Sequence, residues 1–364
     1  MLSSSSESVN WVAGLYYRDQ QIDLARTYTF ADFFTSNLDT TNAAIYGQAE
    51  ITLTNRFSLT TGLRVERREL DYRDIQGNTA APEETLWGGR IALEYLADNG
   101  AFYYGLISRG YKAGGFNLEG TLSLDEREFD SETLINYEIG LKQLFLNDTL
   151  SIQASLFYQD RSDIQVDQSI VRSVATGQIG DSCPCTFTDF TTNAASGNNS
   201  GLEVEFNWSA SNRLSLFGTL GLLDTQFDEF LSFDHIEADR DNGIAFDLAD
   251  REQAQAPSYT AVIGGKYALT KNIIFGGSIE AKDEFLFSDS HEGTSDSYEL
   301  VNLELSYQTD NWSLALYAKN VTDELVKTRG FGTFGNDPRE FYELDEYNQF
   351  GAPRVVGVRA SFDF

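Results

Sequence analysis

The stretch GLEVEFNWSA (Gly201–Ala210) decides the fold class. Leu202, Val204, Phe206 and Trp208 alternate with Glu203, Glu205, Asn207 and Ser209. Successive side chains of an extended chain point to opposite faces, so this spacing makes a strand with one apolar and one polar side. The same period recurs outward from it. Ile135, Tyr137, Ile139 and Leu141 oppose Asn136, Glu138, Gly140 and Lys142. Phe57, Leu59, Thr61, Leu63 and Val65 oppose Ser58, Thr60, Gly62, Arg64 and Glu66. Val356, Val358, Ala360, Phe362 and Phe364 oppose Gly357, Arg359, Ser361 and Asp363.

Roughly 14 segments pass this test. They are Val9–Asp23, Thr41–Thr54, Phe57–Asp74, Thr85–Leu96, Ala101–Lys112, Glu132–Leu146, Thr149–Val166, Gly201–Ala210, Arg213–Phe227, Pro257–Leu269, Asn272–Phe287, Tyr298–Thr309, Trp312–Asn320 and Ala352–Phe364. Two kinds of connection alternate between them. Short ones carry turn residues: Asn55-Arg56, Asp98-Asn99-Gly100, Asn147-Asp148, Ser211-Asn212, Thr270-Lys271 and Asp310-Asn311. They read as tight hairpins. Long polar ones follow Asp23, Asp74, Lys112, Val166, Phe227, Phe287 and Asn320.

Short turns at one end and long loops at the other describe a transmembrane antiparallel β-barrel, an all-β fold with short periplasmic turns and long extracellular loops. So many strands enclose a lumen too wide for side chains to fill. The apolar faces therefore point outward, to lipid. A large soluble all-β protein is the competing reading, but it gives no reason for loop lengths to segregate. Aromatics near strand ends (Trp11, Tyr16, Tyr17, Trp87, Tyr103, Tyr104, Trp208, Trp312, Phe362, Phe364) suit girdles at the two interfaces.

Composition agrees. Of 364 residues, 56 are acidic and 26 basic, a net charge of −30, which speaks against nucleic acid as a partner. Mean hydropathy is −0.32, and no apolar run reaches the ~18 residues of a membrane helix. The opening MLSSSSESVNWVAGLYY has neither a basic nor an apolar segment of a secretory signal. Leu2-Ser3-Ser4 reads as the tail of a preceding strand.

Five stretches carry a resemblance: SRGYKAGGFN (Ser108–Asn117), ETLINYEIGLK (Glu132–Lys142), SYELVNLELSY (Ser297–Tyr307), AKNVTDE (Ala318–Glu324) and GAPRVVGVRASFDF (Gly351–Phe364). In this order they resemble the C-terminal part of the barrel of TonB-dependent outer-membrane receptors, over essentially the whole chain. The resemblance implies a barrel of about 22 strands filled by an N-terminal plug. It also implies uptake of a scarce solute, most often a ferric siderophore, across the outer membrane of a Gram-negative bacterium. Residues 1–364 are then expected to form one barrel domain, without plug, TonB box or signal peptide. TonB would act only through that plug region. Outer-membrane lipid, lipopolysaccharide and, through Phe364, the barrel assembly machinery are the expected partners. No resident cofactor is expected, beyond an iron chelate as ligand.

Candidate residues follow. Arg109, Tyr111, Lys112, Phe116 and Asn117 stand where a strand leaves for its outer loop. They could meet an anionic chelate by charge and aromatic contact; the plain alternative is rim architecture, with Gly114-Gly115 allowing a sharp exit. Arg64, Glu66, Arg90, Glu94, Glu138, Lys142, Glu203, Glu205, Lys319 and Arg359 sit on polar faces and are expected to line the lumen, where cross-strand charge pairs form. Cys183-Pro184-Cys185 is a disulfide candidate in the longest loop. His235 and His291, in acidic loops, are more ordinary as surface residues than as metal ligands. Asp239, Asp241 and Asn242 before Gly243 depart by one position from a calcium loop. No nucleophile–base motif, metalloprotease helix or phosphate loop is present, so no catalytic residue and no enzyme activity is expected. The other readings are a passive porin-like channel of 14 strands and, further off, an enzymatic outer-membrane barrel.

Overall fold

The computed structural model describes residues 2–6, 8–28, 31–118, 122–173, 175, 185–232, 245–289, 293–331 and 347–362. Its wall is a meander of strands: β1 Leu2–Ser5, β2 Val9–Tyr28, β3 Ala31–Thr52, β4 Phe57–Asp74, β5 Glu83–Leu96, β6 Phe102–Lys112, β7 Glu132–Phe145 and β8 Leu150–Ser173. It continues through β9 Cys185–Ser211, β10 Leu214–Ser232, β11 Tyr259–Ala268, β12 Ile273–Lys282, β13 Tyr298–Gln308, β14 Trp312–Lys319 and β15 Val355–Phe362. Each pairs antiparallel with the next in sequence. The periodic segments correspond one for one to β2–β15. The serines before them form β1, paired to β2 through Leu2↔Ala13 and Ser5↔Asn10. No helix among the described residues is long and apolar enough to cross a membrane.

One face of this wall is apolar and bare. Leu15, Ile45, Leu63, Ile91, Ile107, Ile139, Leu156, Ile263, Ile279, Leu316 and Val358 are all exposed. Register links them into a belt: Ile91↔Ile107, Ile139↔Leu156, Ile263↔Ile279 and Leu316↔Val358 face one another across strands. A continuous exposed apolar band of this extent fits lipid and not water, and the soluble alternative falls with it. β1 pairs only with β2, and β15 only with β14, so the described strands do not close on themselves.

Several strands run past the ~9–11 residues that a tilted membrane strand needs. β9 has 27 residues, β8 has 24 and β3 has 22. The long connection expected after Asp23 is instead mostly ladder: β2 continues to Tyr28 and β3 begins at Ala31, with Arg26↔Phe34 and Asp23↔Asn37 in register. Asn37-Leu38-Asp39-Thr40-Thr41-Asn42 has too few apolar residues for a period-2 signal. Its ladder bonds and a sparse buried row, Phe34, Ser36, Leu38, Thr40, Asn42 and Ala44, hold it extended. Conversely, the single strand expected over Asn272–Phe287 stops at Lys282, and Phe285-Leu286 pairs separately with Thr294-Ser295.

Above the belt the cores are small. Ile164, Val166, Ala195, Phe227, Phe230 and Leu248 form one. Leu38, Leu70, Tyr72 and Phe116 form another. The AKNVTDE stretch is a turn: Asn320 has a positive φ of 50°, accepts from the Glu324 amide (2.8 Å) and donates to its carbonyl (2.8 Å). Asp323 accepts from the Arg354 amide (2.8 Å), tying the turn to the approach of β15.

Candidate solute path: the lumen wall and its outer rim

The lumen face is built by alternation. Glu66 follows exposed Val65, Arg90 precedes exposed Ile91, Glu94 follows exposed Leu93, and Glu138 lies between exposed Tyr137 and Ile139. Each of these charges faces away from the belt. The carboxylates there are engaged. Arg64 donates to Glu66 from Nε (2.9 Å) and Nη2 (2.5 Å), and Asn42 donates to its other oxygen (2.7 Å). The Tyr111 hydroxyl donates to Glu66 (2.9 Å) and accepts from Arg64 Nε (3.2 Å). The Arg64 guanidinium also lies 4.9 Å from the Tyr16 ring centre. One network thus ties β2, β3, β4 and β6.

Lower on the wall, Ser58 and Thr60 donate to Glu94 (2.8 and 3.2 Å). Tyr104 donates to Glu138 (2.6 Å), its ring lying over Gly140, where a Cβ would come within 2.2 Å of it. Glu138, Lys142, Glu203 and Glu205 line a cleft of 420 Å³ with Tyr104, Gln153 and Thr260. Arg359 lies 5.4 Å from the Tyr317 ring centre, and Lys319 is on the same strand face as Tyr317. The wall therefore offers both signs of charge, with acids in excess around the cleft.

At the rim the five candidate residues part company. Tyr111 lies over Gly88, 3.3 Å from where its Cβ would stand, and turns to the lumen network. Arg109 sits on the adjacent residue, Trp87, 4.3 Å from the ring centre, donating to its carbonyl. Adjacent residues of a strand face opposite ways, so Arg109 lies on the belt side. The Lys112 side chain is exposed. Phe116 is buried against Tyr72, ring centres 4.5 Å apart. Asn117 accepts from the Thr191 amide (2.8 Å) and donates to the Thr191 carbonyl (2.8 Å) and the Arg127 carbonyl (3.2 Å). Its amide fastens the loop after β6 to the upper part of β9. Gly114 serves the same fastening, since a Cβ there would stand 2.5 Å from the Phe129 carbonyl.

Sequence reading misses the group that holds this loop. Arg127 is buried, its side chain paired with Asp74 (3.1 Å) and donating to the Tyr72 hydroxyl (2.8 Å) and the Leu122 carbonyl (2.9 and 3.0 Å). Burial raises the Asp74 carboxyl, but hydrogen bonds from the Asn78 side chain and backbone, Arg127 and Tyr72 outweigh it and hold Asp74 at about 2. Burial pushes the Tyr72 phenol up to about 12. In sequence, LDEREFD is a charge run indistinguishable from a solvated loop. A second missed network joins Arg161 to Glu132 (2.6 Å) and Gln253 (2.6 Å), with the Gln165 amide donating to Glu132 (3.1 Å). Among the described residues no group of three or more metal-ligating side chains gathers. His235, His291, Asp239, Asp241, Asn242, Gly243, Cys183, the Cys185 side chain and Phe364 lie outside the described residues.

Comparison with known proteins agrees with this architecture. A family model described as TonB dependent receptor-like, beta-barrel, matches residues 3–321. The chain is 21% identical over 372 aligned positions to the pesticin receptor of Yersinia pestis, covering 99% of this chain and 50% of that protein. Among solved structures, the ferric yersiniabactin uptake receptor FyuA of Yersinia pestis superposes with a TM-score of 0.75 at 20% identity, over 99% of this chain and 52% of that one. The copper transporter OprC superposes with a TM-score of 0.71 at 14% identity, over 100% and 55%. The chain thus spans about half the length of the relatives it matches. The outward belt, the polar lumen face and the match over most of the chain have one reading: this is an outer-membrane chain and belongs to the TonB-dependent receptor β-barrel family.

Proposed function

We propose that the protein to which this wall belongs takes up a scarce solute from outside the cell, with a ferric siderophore as the substrate class. The observation that carries the reading is a polar, doubly charged lumen face beneath an outer rim whose loop after β6 is pinned by a buried ion pair. A pinned rim presents a fixed binding surface above a wide, wettable path. Tyr111 turns to the solute path, and the exposed Lys112 beside it adds positive charge at the rim. Phe116 and Asn117 hold the loop in place, and act on the solute through its position. Lumen residues Arg64, Glu66, Arg90, Glu94, Glu138, Lys142, Glu203, Glu205, Lys319 and Arg359 set the charge along the path, which tunes passage and performs no covalent chemistry. The iron chelate is cargo; no resident cofactor and no enzyme activity belong to the proposal.

Energy for uptake comes, on this reading, through TonB acting on a plug region. Lipopolysaccharide surrounds the outer half of the belt, and the assembly machinery recognises the C-terminal strand. The test is iron-limited growth of the source bacterium with the gene deleted, fed single ferric siderophores. Loss of growth on one siderophore, restored by the gene and abolished without TonB, is expected. Steady ohmic current from the purified protein in planar bilayers, with uptake indifferent to TonB, would replace the receptor with a passive channel.

A further inference from the structure

The belt has a notch. Along the row Leu93↔Gly105↔Ile139↔Leu156, every position but one carries a large apolar side chain. Nothing stands within 4 Å of where a Gly105 Cβ would be. The missing side chain opens a cleft of 610 Å³ walled by Ile91, Leu93, Ile107, Tyr137, Ile139 and Tyr158. It lies on the lipid side, so hydrocarbon rather than water occupies it.

The outer end of this cleft is cationic. Arg109 is four residues up the same strand from Gly105, roughly 13 Å at ~3.3 Å per residue. It is on the same face, stacked on Trp87. Among the described residues no carboxylate is within ion-pair distance of it, whereas the neighbouring belt-side cations higher on the wall are paired, Arg67 to Glu69 and Glu83, and Arg73 to Asp71. In a chain of net charge −30, an unpaired arginine above an apolar cleft is unusual. Trp87 stands opposite Val65, the last apolar residue of its belt row, so the guanidinium stacked on it lies at the upper edge of the belt, and its remaining donors suit a phosphate.

We propose that this surface is a lipid-binding site: the Gly105 cleft takes an acyl chain, and Arg109 the phosphate, of a phosphorylated glycolipid of the outer leaflet. The site rests on the outer-membrane reading, and it removes Arg109 from the solute path. A glycolipid is favoured over a phospholipid because Arg109 is at the end of β6 that leads into the long outer loop, and so faces the leaflet built of glycolipid.

Native mass spectrometry of the protein, extracted in mild detergent from its own outer membrane, tests the proposal. Gly105→Leu fills the notch and Arg109→Gln removes the charge. Both side chains point away from the lumen, and heat-modifiable migration on a gel checks that each variant is folded. The wild type is expected to retain a phosphorylated glycolipid, and each variant to lower that occupancy about ten-fold, the loss of one charge-assisted contact or its apolar equivalent. Equal occupancy in all three proteins overturns the site. Loss in Gly105→Leu alone overturns the phosphate contact. Phosphatidylglycerol bound in place of glycolipid overturns the assignment of leaflet. A protein absent from the outer-membrane fraction defeats the location reading itself, a result distinct from an outer-membrane protein that retains no lipid.

Discussion

Strands β4 and β8 cross the same boundary from lipid to water and solve it differently. In β4 the alternation of faces runs unbroken from Phe57 to Asp74, and the sequence changes instead. The belt-side row reads Phe57, Leu59, Thr61, Leu63, Val65 and then Arg67, Glu69, Asp71, Arg73. The other row ends in buried Leu70 and Tyr72. Apolar residues face out where the surroundings are lipid and in where they are water. In β8 the main apolar series stays on even positions, Leu150, Ile152, Leu156, Tyr158, then Ile164 and Val166, with Phe157 the exception below the bulge. The backbone changes there. A bulge between Arg161 and Ile164 places two residues of β8 opposite one of β9, with Asp163 at a φ of 55°. Arg161, on the lumen face, and Ile164, three residues later, then point the same way, and Ile164 enters the outer core. A bulge re-aims every side chain beyond it, which is the effect needed at a change of solvent. Local chemistry and backbone irregularity are thus interchangeable means to one end.

Four experiments press on this contrast. The largest effect is expected where water-side burial is most exacting. Asp74→Ala takes the Asp74 carboxylate away from the buried Arg127 guanidinium, at a cost of about 3–5 kcal/mol. Hydrogen exchange over residues 113–131 should rise steeply while the belt half of β4 stays protected; equal loosening of both halves would merge the two regions into one cooperative unit. Next, Leu63→Arg puts a charge into the apolar belt, worth up to about 2–4 kcal/mol. Glu69→Arg, on the same face of the same strand, should stay within about 0.5 kcal/mol. Denaturant unfolding in lipid vesicles compares them, and similar costs would move the boundary from its place between Val65 and Arg67.

The third is a pH profile of the pinned loop. Asp74 has a folded pKa of about 2 against an ordinary 3.8. Its contribution is complete above 3.8 and lost as pH falls toward 2. Tyr72 is raised from 10.0 to about 12, so its contribution is complete below 10 and lost as pH rises toward 12. Protease resistance of residues 113–131 should form a plateau between these limits and fall at both ends; a fall centred near pH 6 would assign the docking to other groups. The smallest effect is expected from deleting Asp163. That removes the extra residue of the bulge and leaves Arg161 and Ile164 on their present faces. One hydrogen bond is lost, from Asn193 to the Asp163 carbonyl (2.7 Å), worth about 1 kcal/mol. Loss of the outer core in this variant would show that the bulge shapes the loop by more than parity.

The strands were legible because alternation is a local property: each residue's face follows from its neighbours along the chain. Every wall strand from β2 to β15 carries that signal, and so does the belt that marks lipid. The sign of each lumen charge was legible for the same reason. So was the change of rule within β4, written in the shift of apolar residues from odd to even positions between Val65 and Leu70. What the sequence could not supply is anything that depends on which strands meet. Arg109 and Tyr111 share the parity of β6, yet one meets Trp87 and the other reaches Glu66. Arg127 reads as one charge in a hydrophilic run, and is buried because Asp74, some fifty residues earlier, arrives beside it. The β8 bulge leaves no mark on its own periodicity and exists only in the register against β9. Alternation fixes faces one strand at a time; partners, bulges and buried charges are set by the pairing of strands distant in sequence, and that pairing is a property of the assembled wall.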